Sequence, residues 1–203
     1  MLNVPATIGL MVLADPIVAL IYERGQFIPH DTQSTAQALM YYAPGLLGYS
    51  AVKIASPTFY SLRDSRTPVV VSVLSIAANL AINLVLVRVW DYRGLALGTA
   101  IAAMLNAVVL LWLLRGRLEG LEGRRVSVAL AKITAASLLM GLAAYFMAAW
   151  LTALTPAGGE IAKAIRVAGA IAAGLAVLAG AARLLRIEEF NDATARVLQR
   201  LKR

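Results

Sequence analysis

The chain has 203 residues, 60% hydrophobic and 15% charged, with a mean hydropathy of +0.74 and a net charge of +8. Soluble domains carry about 25% charged residues, so this composition excludes most soluble enzyme classes. The absence of cysteine removes disulfide frameworks and thiolate chemistry. Nucleic acid does not account for the positive charge, because no basic stripe with interleaved aromatics is present.

Four stretches carry no charged side chain: 32–52 (21 residues), 68–87 (20), 94–114 (21) and 133–159 (27). A helix rises about 1.5 Å per residue, so about 20 apolar residues cross a hydrocarbon core of about 30 Å. The apolar runs are continuous rather than alternating, which selects helices over barrel strands. The reading is an all-α integral membrane protein of about six transmembrane helices.

In chain order, the first span covers 4–22 and contains Asp15-Pro16; no basic region precedes it, so no secretory leader is read there. The second covers 36–60 and is interrupted by Pro44, Gly45, Gly48, Lys53 and Pro57. The third, 68–89, begins with proline at a favourable first-turn position. The fourth covers 94–114, a loop follows at 116–126, and a further pair occupies 127–186 as spans 127–151 and 161–185. In the tail, 187–203, Phe190, Ala193, Val197, Leu198 and Leu201 recur at helical spacing among Arg196, Arg200, Lys202 and Arg203. Two readings of it stand: a basic amphipathic helix on the anionic inner leaflet, or a solvated helical end.

Six spans sort the loops into two sets. Arg63, Arg66, Arg115, Arg117, Arg124, Arg125, Arg183, Arg186, Arg196, Arg200, Lys202 and Arg203 lie on one side, and Arg24, Arg88, Arg93, Lys163 and Arg166 on the other. Basic loops stay cytoplasmic, so twelve against five places both termini in the cytoplasm. Tyr22, Phe27, Trp90, Tyr92 and Trp150 then fall near the outer face, and Tyr60 and Trp112 near the inner one, as aromatic belts do.

Few residues within the spans invite chemistry. Lys53 lies about 13 Å in from the cytoplasmic end of its helix. It is either a cation facing a transport path for an anionic substrate or a lysine that snorkels to the interface. Asp15, beside the kink imposed by Pro16, is either a hinge near the outer gate or partner for Lys53, or a wet helix cap, and the cap is the plainer reading. Asn79 and Asn83 are four apart and share a helix face, and Thr99 and Asn106 are the polar residues of the next span. Their oxygens could hold a hard cation, but no carboxylate is at hand, and interhelical hydrogen bonding is the plainer reading. His30, the single histidine, sits in a polar loop. Neither catalytic nor metal-ligating residues are expected, and the chain is read as no enzyme. Gly169, Ala173, Gly174 and Gly180 suit close helix packing. Arg–Asp pairs in the loop 61–68 are read as a lock between two helices at the inner face, or as an orientation signal alone.

Lys53-Ile54-Ala55-Ser56-Pro57-Thr58-Phe59-Tyr60-Ser61, followed by Asp64 and Arg66-Thr67-Pro68, resembles the signature of the MurJ/MviN family of lipid II flippases. Ala14-Asp15-Pro16, Tyr22-Glu23-Arg24-Gly25-Gln26-Phe27 and Gly94-Leu95-Ala96-Leu97 are also similar to the family pattern. Family members have about fourteen spans in two six-helix lobes plus an extra pair. The resemblance therefore implies that 1–115 are the later four helices of the second lobe and 127–186 the extra pair, with the N-terminal lobe missing. It also implies an inner-membrane, multi-pass protein with alternating access for an undecaprenyl-linked peptidoglycan precursor, serving cell wall synthesis and cell shape. Lys53 would approach a cationic cavity, and the extra pair would offer a groove to the polyprenyl tail. No cofactor is implied beyond a coupling cation, sodium or proton, for which Asn79, Asn83 and Thr99 mark a candidate position. The implied partners are the lipid-linked precursor, membrane lipids and the missing lobe. The alternatives are a polysaccharide-lipid or multidrug exporter of the same superfamily, against which the 53–68 motif argues, and a truncated membrane partner with no transport of its own.

Overall fold

Pro16 offers no N–H to the carbonyl of Val12, and the helical ladder breaks there. In the computed structural model, which describes residues 2–117, 123–155 and 159–185, α1 (Asn3–Val12) and α2 (Ala14–Tyr22) meet at 73°. A turn with Gly25 at φ +61° leads to α3 (Pro29–Tyr42). There proline occupies the first turn, and the Ile28 N–H donates to the Asp31 carboxylate at 3.2 Å.

The predicted second span arrives as α3 followed by α4 (Gly45–Ser61). Pro44 lies at the joint, yet Ala43 and Pro44 keep right-handed helical dihedrals. The N–H groups of Leu46 and Leu47 donate three residues back, to Ala43 (3.0 Å) and Pro44 (3.1 Å), a tighter turn that carries the helix past the missing donor.

The predicted third and fourth spans are one 52-residue element, α5 (Arg66–Arg117), broken only at Asp91, with φ 54° and ψ −137°. Each arm exceeds the about 20 residues that a bilayer core requires. The arms fold back on each other: a Cβ on Gly94 would strike the Leu86 carbonyl, and one on Gly98 would strike Asn83 Oδ1. Glycines four apart thus let two backbones touch, as small residues do between membrane helices. Holding a non-glycine residue at Asp91's dihedrals costs about 1–3 kcal/mol, which the paired arms offset.

The last two helices are α6 (Gly123–Leu154) and α7 (Glu160–Leu184). α5, residues 126–154 of α6, and α7 are each long and apolar enough to cross a membrane, and the bent α1–α2 pair makes a fourth crossing if read as one span. α3 and α4, of 14 and 17 residues, are not among the helices long and apolar enough to cross by themselves. The expected tail, 187–203, lies outside the described residues, as does the middle of the loop 116–126.

Contacts group the chain into two units, 1–21 with 123–203, and 22–122. In the first, α1 and α6 pack together, as do α6 and α7. Their seams are small: Ala136, Ala144, Ala170 and Ala182 are fully buried. A Cβ on Gly141 would lie 2.7 Å from Ile8, and one on Gly169 2.6 Å from Leu151. Gly174 faces Met140 and Ala144, whereas Gly180 faces open space. In the second unit α4 lies along the second arm of α5. A Cβ on Gly45 would be 2.9 Å from Ala100 Cα, and one on Gly48 2.5 Å from the Ala103 backbone. Ala55, Phe59, Val71, Leu110 and Leu114 form the cluster beyond them. Large side chains on the outer surface, such as Leu74, Leu80 and Val85, remain over half exposed, as lipid-facing residues do.

Candidate functional site

The packing of α4 decides where Lys53 points. Gly45, Gly48, Ala55 and Phe59 are buried against α5, so the opposite face is open, and Tyr49, Lys53, Pro57 and Tyr60 lie on it, all exposed. Their spacing of four, four and three is one helical stripe. Pro57, inside the helix, leaves the Lys53 carbonyl without its usual donor. Lys53 thus adds an ammonium and an open carbonyl to one face, and none of the ion pairs found among the described residues includes it. A lysine at the centre of a span costs about 2.5–3.5 kcal/mol by insertion scales, so an unpaired one marks a surface that meets water, a partner or an anionic ligand. The tyrosines beside it follow from the same i, i+4, i+7 spacing, a pattern legible in the sequence once Lys53 is taken as the centre.

Asp15 stands in the first turn of α2, just past the bend, and is exposed. This position, beside the open N–H groups of a helix start, suits a carboxylate. It belongs to the first unit and Lys53 to the second.

Asn79 and Asn83 share a face of the first arm of α5, and Asn83 Nδ2 donates to Asn79 Oδ1 at 3.0 Å. Asn83 Oδ1 is buried without a donor, and so is Asn106 Oδ1 on the other arm. Gly98 passes directly over Asn83, and the neighbouring Thr99 donates its hydroxyl to the Leu95 carbonyl at 2.9 Å, which leaves the Thr99 oxygen's lone pairs available. The arms therefore bring Asn83, bonded to Asn79 on its own arm, against Gly98. Gly98 had no signal of its own in the sequence, since its role depends on how the hairpin registers. Among the described residues no group of three or more His, Cys, Asp or Glu side chains could hold a metal ion, so any cation here would rest on neutral oxygens.

The expected lock in the loop 61–68 exists with a different partner. Asp64 accepts from the Thr67 N–H (3.0 Å) and the Thr67 hydroxyl (2.7 Å), and pairs with Arg117 at 3.0 Å. Neither Arg63 nor Arg66 forms an ion pair with it among the described residues. The reason is geometric: Asp64 caps the start of α5, and the folded-back hairpin returns the end of α5 to that point. The Thr67 hydroxyl first and then the Thr67 N–H, with Arg117 a lesser help, hold the Asp64 carboxyl below its usual range against the opposing effect of desolvation.

Comparison with known proteins places this arrangement. Residues 1–157 match the family model described as lipid II flippase MurJ. A probable lipid II flippase MurJ of Rhizobium meliloti is 32% identical over 179 residues, 87% of this chain and 33% of that protein. One from Vibrio cholerae is 36% identical over 109 residues, 54% of this chain and 21% of that protein. A solved structure titled lipid II flippase MurJ, inward closed conformation, superposes with a TM-score of 0.68 at 24% identity, covering 90% of this chain and 36% of the other; it shows a shared fold. The chain spans about a fifth to a third of the curated relatives it matches.

Proposed function

This chain belongs to the lipid II flippase MurJ family, and from that premise we propose that it is the C-terminal part of a flippase that moves an undecaprenyl-linked peptidoglycan precursor across the bacterial inner membrane by alternating access. The family match over 1–157 carries the reading. The open, unpaired Lys53 face of α4 supports it, because a helix surface with an ammonium at membrane depth needs something anionic or aqueous to meet. In this reading 1–115 contribute to the second lobe, 127–186 are the additional pair, both termini are cytoplasmic, and Lys53 faces the path of the lipid-linked diphosphate. Asp15 marks the bend that lets α1 and α2 move as separate pieces. An exporter of the same superfamily is disfavoured, since the relatives described above are named flippases.

The test is complementation. This chain, alone and joined to a preceding lobe, is expressed in cells depleted of their own flippase, and exposure of the precursor on the outer face is assayed. Rescue by the joined form alone is expected. Rescue by neither, with both proteins in the membrane, would move the assignment to another substrate.

A coupling cation, sodium in preference to a proton, is the accompanying proposal. What supports it is Asn83 Oδ1, buried without a donor, with Asn79 bonded to the same side chain and Thr99 next in sequence to the Gly98 that faces it. Asn83→Ala in the joined form is expected to weaken the sodium dependence of transport, and an unchanged sodium response would return these residues to packing.

A further inference from the structure

We propose that the tip of the α5 hairpin, with the facing side of α3, binds a phosphate group. A cleft of about 550 Å³ opens there, lined by Tyr41 of α3 and by Arg88, Trp90, Asp91, Tyr92 and Arg93 of the hairpin. The second arginine is held in place. Arg93 Nε donates to the Tyr92 hydroxyl at 3.3 Å, and its guanidinium carbon lies 5.7 Å from the centre of the Tyr92 ring. The Tyr92 hydroxyl donates in turn to Gln37 Oε1 at 3.0 Å, which ties the tip to α3. This leaves the terminal nitrogens of Arg93 for another acceptor. Arg88 has no ion-pair or hydrogen-bond partner among the described residues, and the ion pairs found among them include neither arginine.

Two guanidinium groups against the one carboxylate of Asp91 give the cleft a net positive charge. The planar guanidinium fork matches two oxygens of a phosphate at once, which an ammonium does not. The rings of Tyr41 and Trp90, with centroids 6.4 Å apart, add amphipathic faces of the kind that settle at headgroup level. Orientation does not explain these arginines, because Arg88 and Arg93 stand on the side of the chain that is poorer in basic residues. Phosphate is the shared chemistry of a bilayer phospholipid, a polyprenyl phosphate and the free ion. The proposal is independent of the cargo and of the direction of transport.

Trp90 reports on the site. Trp112→Phe and Trp150→Phe leave it as the single tryptophan of the three. The full chain in phosphate-free maltoside micelles is titrated with phosphatidylglycerol, undecaprenyl phosphate and inorganic phosphate. A saturable change in Trp90 emission is expected. Saturation by the lipids at lower concentration assigns the site to a membrane headgroup, and equal midpoints assign it to the free ion; either carries the proposal. Arg88→Gln breaks no ion pair or hydrogen bond found among the described residues, so it isolates the ligand, and it is expected to raise the midpoint about tenfold, with Arg88→Lys in between. A flat response to all three probes, or an Arg88→Gln curve that overlies the original, would overturn it.

Discussion

The two units solve the same problem differently. In the first, the α6–α7 hairpin is closed at both ends by reciprocal caps. Lys132 of α6 donates to the Leu185 carbonyl at the end of α7 at 3.3 Å. Arg166 of α7 donates through Nε to the Thr155 hydroxyl at 2.9 Å and through Nη2 to the Thr155 carbonyl at the end of α6. Each helix thus places a cation on the other's negative end. Inside, Ser137 is fully buried but donates to the Ile133 carbonyl at 2.7 Å. Among the described residues the first unit leaves one buried oxygen without a partner, Thr7 Oγ1 of α1, whereas the second leaves those of Asn83 and Asn106, holds Asp91 at positive φ, and exposes Lys53 in mid-helix. Unsatisfied polar groups and strain persist only where the surroundings over-determine them, and they concentrate where function needs them. The reciprocal caps thus lie in α6–α7, and most of the open polar groups lie in α4–α5, the part of the chain proposed above to face the transport path.

The largest expected effect tests that division on activity. Lys53→Ala in the joined, transport-competent protein should abolish complementation while protein level and unfolding midpoint are held or raised, because removing an unpaired cation from a span relieves a cost of about 2.5–3.5 kcal/mol. Normal growth would remove Lys53 from the transport path, and a protein that disappears from the membrane would mean that Lys53 serves the fold.

Next in size is a pair of glycines. Gly48→Ala drives a Cβ to 2.5 Å from the Ala103 backbone, so α4 must separate from α5, and a loss of about 1–3 kcal/mol is expected. Gly180→Ala meets nothing within 4 Å and should stabilise by about 0.5–1 kcal/mol, as alanine does in a helix interior. Unfolding of the full chain in mixed micelles by a denaturing detergent measures both. Equal effects at the two positions would erase the distinction between a glycine required by contact and one that is incidental.

Much of the fold was legible from one-dimensional pattern. The uncharged runs marked α5 and α6, an apolar stretch rich in alanine and glycine marked α7, and Asp15-Pro16 and Pro44 marked the two breaks, because the missing N–H of proline acts locally. The Asn79–Asn83 bond followed from their i, i+4 spacing. Lys53 and its tyrosine stripe were legible in the same way. What escaped depends on distant residues meeting. Nothing local says that Gly98 must pass over Asn83, that Arg117 returns to Asp64 across 53 positions, or that Lys132 reaches Leu185. Nor did the expected loop around 90–93 suggest a turn as short as the single residue Asp91, since φ 54° with ψ −137° lies in a region that glycine, rather than aspartate, ordinarily occupies.

The reciprocal caps are expected to carry smaller, unequal effects. Arg166 makes two bonds to Thr155, and Arg166→Ala should cost about 1–2 kcal/mol. Lys132 makes one longer bond, and Lys132→Ala should cost about 0.3–1 kcal/mol. Hydrogen exchange at the ends of α6 and α7 would show which end frays, and fraying confined to the substituted end would confirm that each cap acts on its own terminus.

The smallest effect is a titration, and it sharpens the comparison because the Asp64 clasp is the second unit's nearest counterpart to those caps. Asp64 has a lowered pKa, so its ionised form is favoured by the fold. The clasp is therefore fully present above the ordinary aspartate value of 3.8 and is lost only as pH falls below it, through the depressed folded value. The Thr67 amide resonance, whose N–H binds this carboxylate, should titrate with a midpoint under 3.8. Because the Thr67 hydroxyl is the largest cause of the shift and Arg117 a lesser one, Thr67→Val should move the midpoint upward by more than Arg117→Gln does. If Arg117→Gln moved it more, the clasp would be an ion pair across the hairpin's ends rather than a cap of α5 that an arginine supplements, and the second unit would be locked as firmly as the first.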